Sequence, residues 1–164
     1  MAKTYEPIAT NTLGSTATSV SFSGISGAYT DLVVVVNAGD ATPAFLKLQF
    51  NSDTGANYSN TVLRGDGATA GSQRHSGNTF IYCDVYANLQ GTLGQAPHVI
   101  EIMNYSNTTT NKTCLIRATN AGLGIDIVAG LWRSTSAITS VDLFVTGGTF
   151  MVGSTFTLYG IASA

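Results

Sequence analysis

The chain has 164 residues and a net charge of −2, and only 10% of them are Asp, Glu, Lys or Arg, against a usual ~25%. A hydrophobic fraction of 44% at so low a charge excludes disorder, and seven scattered basic residues exclude the clustered footprint of a nucleic-acid binder. Thr, Ser, Asn and Gly take the place of charge, a composition suited to a chain packed against others, because charged residues are depleted at the centres of protein interfaces.

The opening "MAKTYEPIAT" lacks the apolar run of a signal peptide. Pro7 restricts this segment to an edge position, so residues 1–16 read as an N-terminal arm or edge strand of a single sandwich domain spanning 1–164. Strands are predicted near 4–9, 17–23, 31–37, 44–50 and 58–63. The run "DLVVVVN" is continuously apolar and β-branched, as expected of a strand covered on both faces. "TFIYCDVYA", over 79–87, alternates: Phe80, Tyr82, Asp84 and Tyr86 on one face, Ile81, Cys83 and Val85 on the other. Further strands follow near 97–105, 112–119, 124–133 and 138–146, with a closing one at 154–161. Turn clusters separate them, among them "NSDTGAN", "RGDGATAGS" and "NLQGTLGQAP", rich in residues that tolerate positive φ. No apolar stripe has helical spacing. About ten strands in this pattern predict an all-β antiparallel β-sandwich, jelly-roll-like, with no significant helix. An immunoglobulin-like sandwich ranks second, because the chain is long for it and lacks the Cys…Trp…Cys spacing.

The chemistry-bearing residues are few. Cys83 and Cys114 are too few for a disulfide scaffold and read as free thiols in near-core positions. A calcium loop beginning at Asn51 fails on spacing: Gly55 stands at position five and Val62 at position twelve, where a bidentate Glu is needed. Asp53-Thr54-Gly55 reads instead as a turn whose Asp caps backbone N–H groups. Arg64-Gly65-Asp66 spells an adhesion tripeptide, which acts only from an exposed, flexible loop. His75, His98, Cys83 and Cys114 lack zinc-ligand spacing, and His98 reads as a rim residue of its strand. Asp84 and Asp142 read as mid-strand carboxylates facing solvent or an interface. Neither a nucleophile elbow nor a metalloprotease helix occurs. No cofactor, metal or catalytic residue is therefore expected. A glycan site would need an exposed aromatic beside Asp, Asn or Arg, for which Trp132 with Arg133, and the face Tyr82–Asp84–Tyr86, are the candidates. The competing role for Trp132 is a core or interface anchor.

Three segments carry a resemblance. "TYEPIATNTLGSTATSVSFSGISGAYTDLVVVV", "FNSDTGANYS" and "GSTFTLYGI" occur here in that order. They resemble the aromatic-Glu-Pro-Ile-Ala opening, the "FNxDTGxNYS" element and the last strand of a group of small tailed-bacteriophage virion proteins. Residues 68–148 match only by strand pattern. The resemblance implies a non-enzymatic structural role in the virion, with assembly in the host cytoplasm. The expected function is a capsid decoration, or cement, protein that binds the major capsid protein on the head exterior as a homotrimer. The alternative is a tail or head-fibre module that binds a receptor or host-surface glycan. No nucleic acid or membrane is expected as a partner. The partner-facing candidates are Tyr5, Glu6, Pro7 and Ile8 of the arm, with Tyr82, Asp84, Tyr86, Trp132 and Arg133.

Overall fold

The protein is described by a computed structural model over residues 5–91 and 95–162. Period-two alternation produces twelve strands: β1 (Tyr5–Thr12), β2 (Ser19–Ser23), β3 (Asp31–Ala38), β4 (Lys47–Phe50), β5 (Tyr58–Gly65), β6 (Ala70–Asn78), β7 (Ile81–Tyr82), β8 (Ala96–Met103), β9 (Lys112–Asn120), β10 (Gly124–Trp132), β11 (Ser140–Phe144) and β12 (Thr155–Ile161). No helix occurs among the described residues.

The pairings are nested. β1 pairs with β12, β2 with β11, β3 with β8 and β4 with β7, all antiparallel. A ribbon of such pairs, rolled so that successive pairs fall in alternate sheets, is a jelly roll. Two hairpins, β5–β6 and β9–β10, are inserted into it and widen one sheet. The result is an eight-stranded sheet, β1-β12-β3-β8-β9-β10-β5-β6, facing a four-stranded sheet, β2-β11-β4-β7.

The core lies between the sheets. Leu32, Val34 and Val36 of β3, Ile100 and Ile102 of β8, and Phe156 and Leu158 of β12 point inward and pack with Leu48, Phe50, Val141 and Leu143 of the smaller sheet. The inward positions of β3 are fully buried, but outward Val35 is 37% exposed. The other outward valine, Val33, is 7% exposed, so the chain covers the outer face of β3 in part and leaves Val35 bare. Cys83 and Cys114 are free and buried. Burial pushes both thiols up, Cys114 to about 12.

Two strand expectations are corrected. β6 takes in the end of the stretch read as the turn "RGDGATAGS", from Ala70 to Ser72, and the residues after it to Asn78. Its only apolar residue is Ala70, so it has no hydrophobic alternation to betray it and is held by backbone pairing with β5. Conversely, the strand expected at 79–87 shrinks to Ile81–Tyr82. The chain then turns inward, with the Cys83 N–H donating to the Leu46 carbonyl at 2.8 Å. The edge reading of the N-terminal segment agrees with β1. It lies at one margin of the large sheet, with an irregularity between Pro7 and Ala9 that discourages further pairing. Residues 1–4 of the arm, and 92–94 of the "NLQGTLGQAP" turn, lie outside the described residues.

Candidate assembly and ligand surfaces

Residues 51–57 form an internal clasp. Asn51 and Ser52 take φ values of 54° and 53°, a conformation that Asn tolerates because its side chain bonds locally. Asn51 Oδ1 accepts the N–H groups of Thr139 and Ser140 at 2.8 and 3.1 Å. Asp53 Oδ1 accepts the Gly55 N–H at 2.8 Å, as expected of a capping turn. Its Oδ2 accepts Asn57 Nδ2 at 2.9 Å and the Trp132 indole N–H at 2.7 Å. Trp132 is 3% exposed and stacks on Tyr58 at 6.2 Å. It is a core anchor, and its candidacy as a glycan platform fails. Arg133 remains at the surface, but its guanidinium is occupied by the Asn57 carbonyl and Ser59 Oγ.

The Trp132 bond, followed by those from Asn57 and Gly55, holds the Asp53 carboxyl below its ordinary value. A lowered folded value contributes stability above the ordinary carboxylate range and loses it as pH falls through the folded value. Asp53→Ala is expected to cost about 2 kcal/mol at neutral pH and to shift the emission of the single Trp. Unfolding followed by that fluorescence should show the deficit shrinking in acid; a deficit independent of pH would refute the assignment.

The Tyr82–Asp84–Tyr86 face does not form. Asp84 follows β7 in a bend and is fully buried, contrary to the mid-strand, outward reading. Its Oδ2 accepts the Leu46 N–H at 3.1 Å and His98 Nε2 at 2.8 Å. His98, read as a rim residue, is also fully buried, because its position in β8 faces the core. Its Nδ1 lies 3.1 Å from the Ala96 carbonyl, so both ring nitrogens face oxygen acceptors. Beyond Asp84, the N–H groups of Val85, Tyr86 and Ala87 all converge on Asp126 Oδ2 at 2.9, 2.8 and 2.9 Å. Asp126 sits on the inward face of β10 with no exposure. This polar core fastens the loop after β7 and explains why the strand ends early. Among the described residues, no three His, Cys, Asp or Glu side chains gather to hold a metal ion.

Tyr86 turns to the β5–β6 hairpin. Its hydroxyl bonds Asp66 at 3.2 Å and its ring carries the Arg64 guanidinium at 5.5 Å. Asp66 also accepts the N–H groups of Ala68 and Thr69 at 2.9 and 2.6 Å. Arg64 and Gly65 belong to β5. The tripeptide is thus part of a tied hairpin, without the free loop that an adhesion receptor would need.

Tyr82 joins an aromatic cluster on the outer side of the smaller sheet. Phe80 meets it edge-on at 4.9 Å, His75 lies at 4.8 Å and Phe45 at 6.1 Å. Phe80 in turn meets Phe144 at 5.9 Å, and the Lys47 ammonium sits 4.6 Å from the Phe80 centroid. Beside Phe144 runs an open groove of about 400 Å³ lined by Ser21, Gln49 and Asp142. Asp142 is part-exposed and accepts Ser21 Oγ at 2.6 Å. Phe45, Phe80 and Phe144 were not singled out from sequence, although Phe80 stood in register with Tyr82. His98 and Asp126 left no signal as partners, since each meets its contacts only through folding.

At the N-terminal edge, Tyr5 is 58% exposed with its ring 6.3 Å from Tyr159. Glu6 is half-buried and hydrogen-bonds with Tyr29, Pro7 is exposed, and Ile8 packs on the core. Fold and surfaces together define a jelly-roll sandwich with two open outer sheet faces. Comparisons with protein-family models, curated proteins and solved structures find no match.

Proposed function

We propose that this chain is a non-enzymatic structural protein of a tailed-bacteriophage virion, a decoration protein that binds the major capsid protein and stabilises the assembled head as a homotrimer. The observation that carries this reading is a jelly roll whose larger sheet presents a nearly uncharged outer face, which suits permanent packing in an assembly. The sequence resemblance supports the same class. Binding the shell and not its dissociated subunits stabilises the shell by mass action. Electron microscopy of particles carrying a labelled copy is expected to place the protein over the whole head in many copies. A few copies confined to the tail would sink the decoration role.

A second reading, a glycan-binding module at a tail or head fibre, draws on the Phe80–Tyr82–Phe144 cluster beside the Asp142 groove. Aromatic faces next to carboxylate and amide groups are suited to stacking sugars. The tail localisation just described is its expected outcome.

A further inference from the structure

Antiparallel sheets commonly turn a polar face to water, but the middle of the eight-stranded sheet does not. The neighbouring strands β3, β8, β9, β10 and β5 carry Val35, Met103, Leu115, Ile125 and Leu63 at outward positions. These are 37%, 42%, 40%, 45% and 60% exposed. Register places half-buried Ile127 directly beside Leu63 and sets Leu115 opposite Ala129, so the apolar surface continues across β9, β10 and β5. Among the described residues, the charged side chains at outward positions of β3, β8, β9, β10 and β5 are Asp31, Glu101 and Arg117, the last two hydrogen-bonded to each other at 2.8 Å. The flanking strands are more polar: β12 presents Thr155 and Thr157 beside Tyr159 and Ile161, and β6 presents Ser72, Arg74 and Ser76. A largely apolar face with one ion pair inside it and polar groups toward its margins has the composition of a protein interface.

We propose that this face is buried against a second copy of the same chain. The area suffices. From β12 to β6 the face spans seven strands, which at about 4.8 Å between strands and about 3.3 Å per residue gives on the order of 900 Å². A stable interface needs roughly 800 Å² per partner. The charge also fits a copy of itself, because the outward charges from β12 to β6, Asp31 and Glu101 against Arg117 and Arg74, sum to zero. The Val run of β3 has the composition of a strand covered on both sides, and a second copy would cover Val35, which the chain itself leaves exposed. The inference does not depend on where in a particle the protein sits.

Sedimentation and light scattering of the full chain at micromolar concentration are expected to give a mass above the 17.0 kDa of one copy. Leu63→Lys and Leu115→Lys should each weaken self-association at least about a hundredfold by burying an unpaired ammonium. Both positions are exposed in the single chain, so strand content by circular dichroism should not change. Glu101→Arg should weaken association as well, and adding Arg117→Glu should restore it, with strand content by circular dichroism unchanged throughout. A monomeric wild type, or variants that associate as tightly as the wild type, would overturn the proposal.

Discussion

Asp126→Ala is expected to lower the unfolding temperature by about 10 °C or more. One buried carboxylate oxygen receives three consecutive N–H groups, from Val85, Tyr86 and Ala87. Removing it leaves the buried Ala87 amide and the part-buried Val85 and Tyr86 amides without their partner. Each buried donor without a partner costs about 1–3 kcal/mol, so the total is on the order of 4 kcal/mol. That is a large share of the roughly 5–15 kcal/mol that hold a domain together. Asp126→Asn keeps an acceptor oxygen and should lose less than half as much. Thermal unfolding of the two variants is the check; an alanine variant no weaker than the asparagine one would show that the three amides find other partners.

His98→Ala is expected to have the next largest effect, about 3 kcal/mol at neutral pH, because it leaves Asp84 buried without the ring that hydrogen-bonds its carboxyl. The loss should depend on pH. Burial holds the Asp84 carboxyl above its ordinary value, and the His98 hydrogen bond and charge, together with the Leu46 N–H, oppose that rise. For an acid whose folded value is raised, the folded state holds the proton more tightly than the unfolded state. Its contribution to stability is therefore most favourable below the ordinary carboxylate value and declines as pH rises toward the folded value. Without His98 the folded value moves higher still, and mild acid neutralises the stranded carboxylate. The gap between wild type and variant should narrow as pH falls from neutral. Denaturant unfolding at several pH values measures it, and taking the difference cancels the opposite trend of Asp53. A gap constant across that range would mean that Asp84 is not the group left unpaired.

These two sites show where sequence reading stopped. Asp84 alternates correctly with Tyr82 and Tyr86, and a period-two pattern extended through it reads as one strand. The pattern cannot register that Asp126, 41 residues beyond Val85, captures the amides a strand would have used for pairing. The loop therefore turns Asp84 inward and leaves Tyr82 and Tyr86 in separate clusters. His98 looked like a rim residue because it begins an apolar run, yet register sets it beside Val36 and Ala118 in the interior. β6 fails in the opposite direction, since an edge strand held by backbone pairing with β5 and outside the hydrophobic core needs no hydrophobic pattern.

What the sequence by itself determined is what local chemistry encodes. Side-chain alternation set the strand positions of β8, β9 and β12, a continuous β-branched run set that of β3, and Gly, Asn and Asp marked the turns. Asp53 read as a capping turn, Pro7 as an edge residue, and the spacing from Asn51 ruled out a calcium loop. Together these specify an all-β sandwich. What only the tertiary structure decided is which strands pair, which polar groups are buried, and which face is left bare. Those outcomes depend on contacts between residues far apart in the chain. The same Val-rich strand is consistent with cover on both sides until its neighbours are in place, and on its outer side they bury Val33 but leave Val35 exposed.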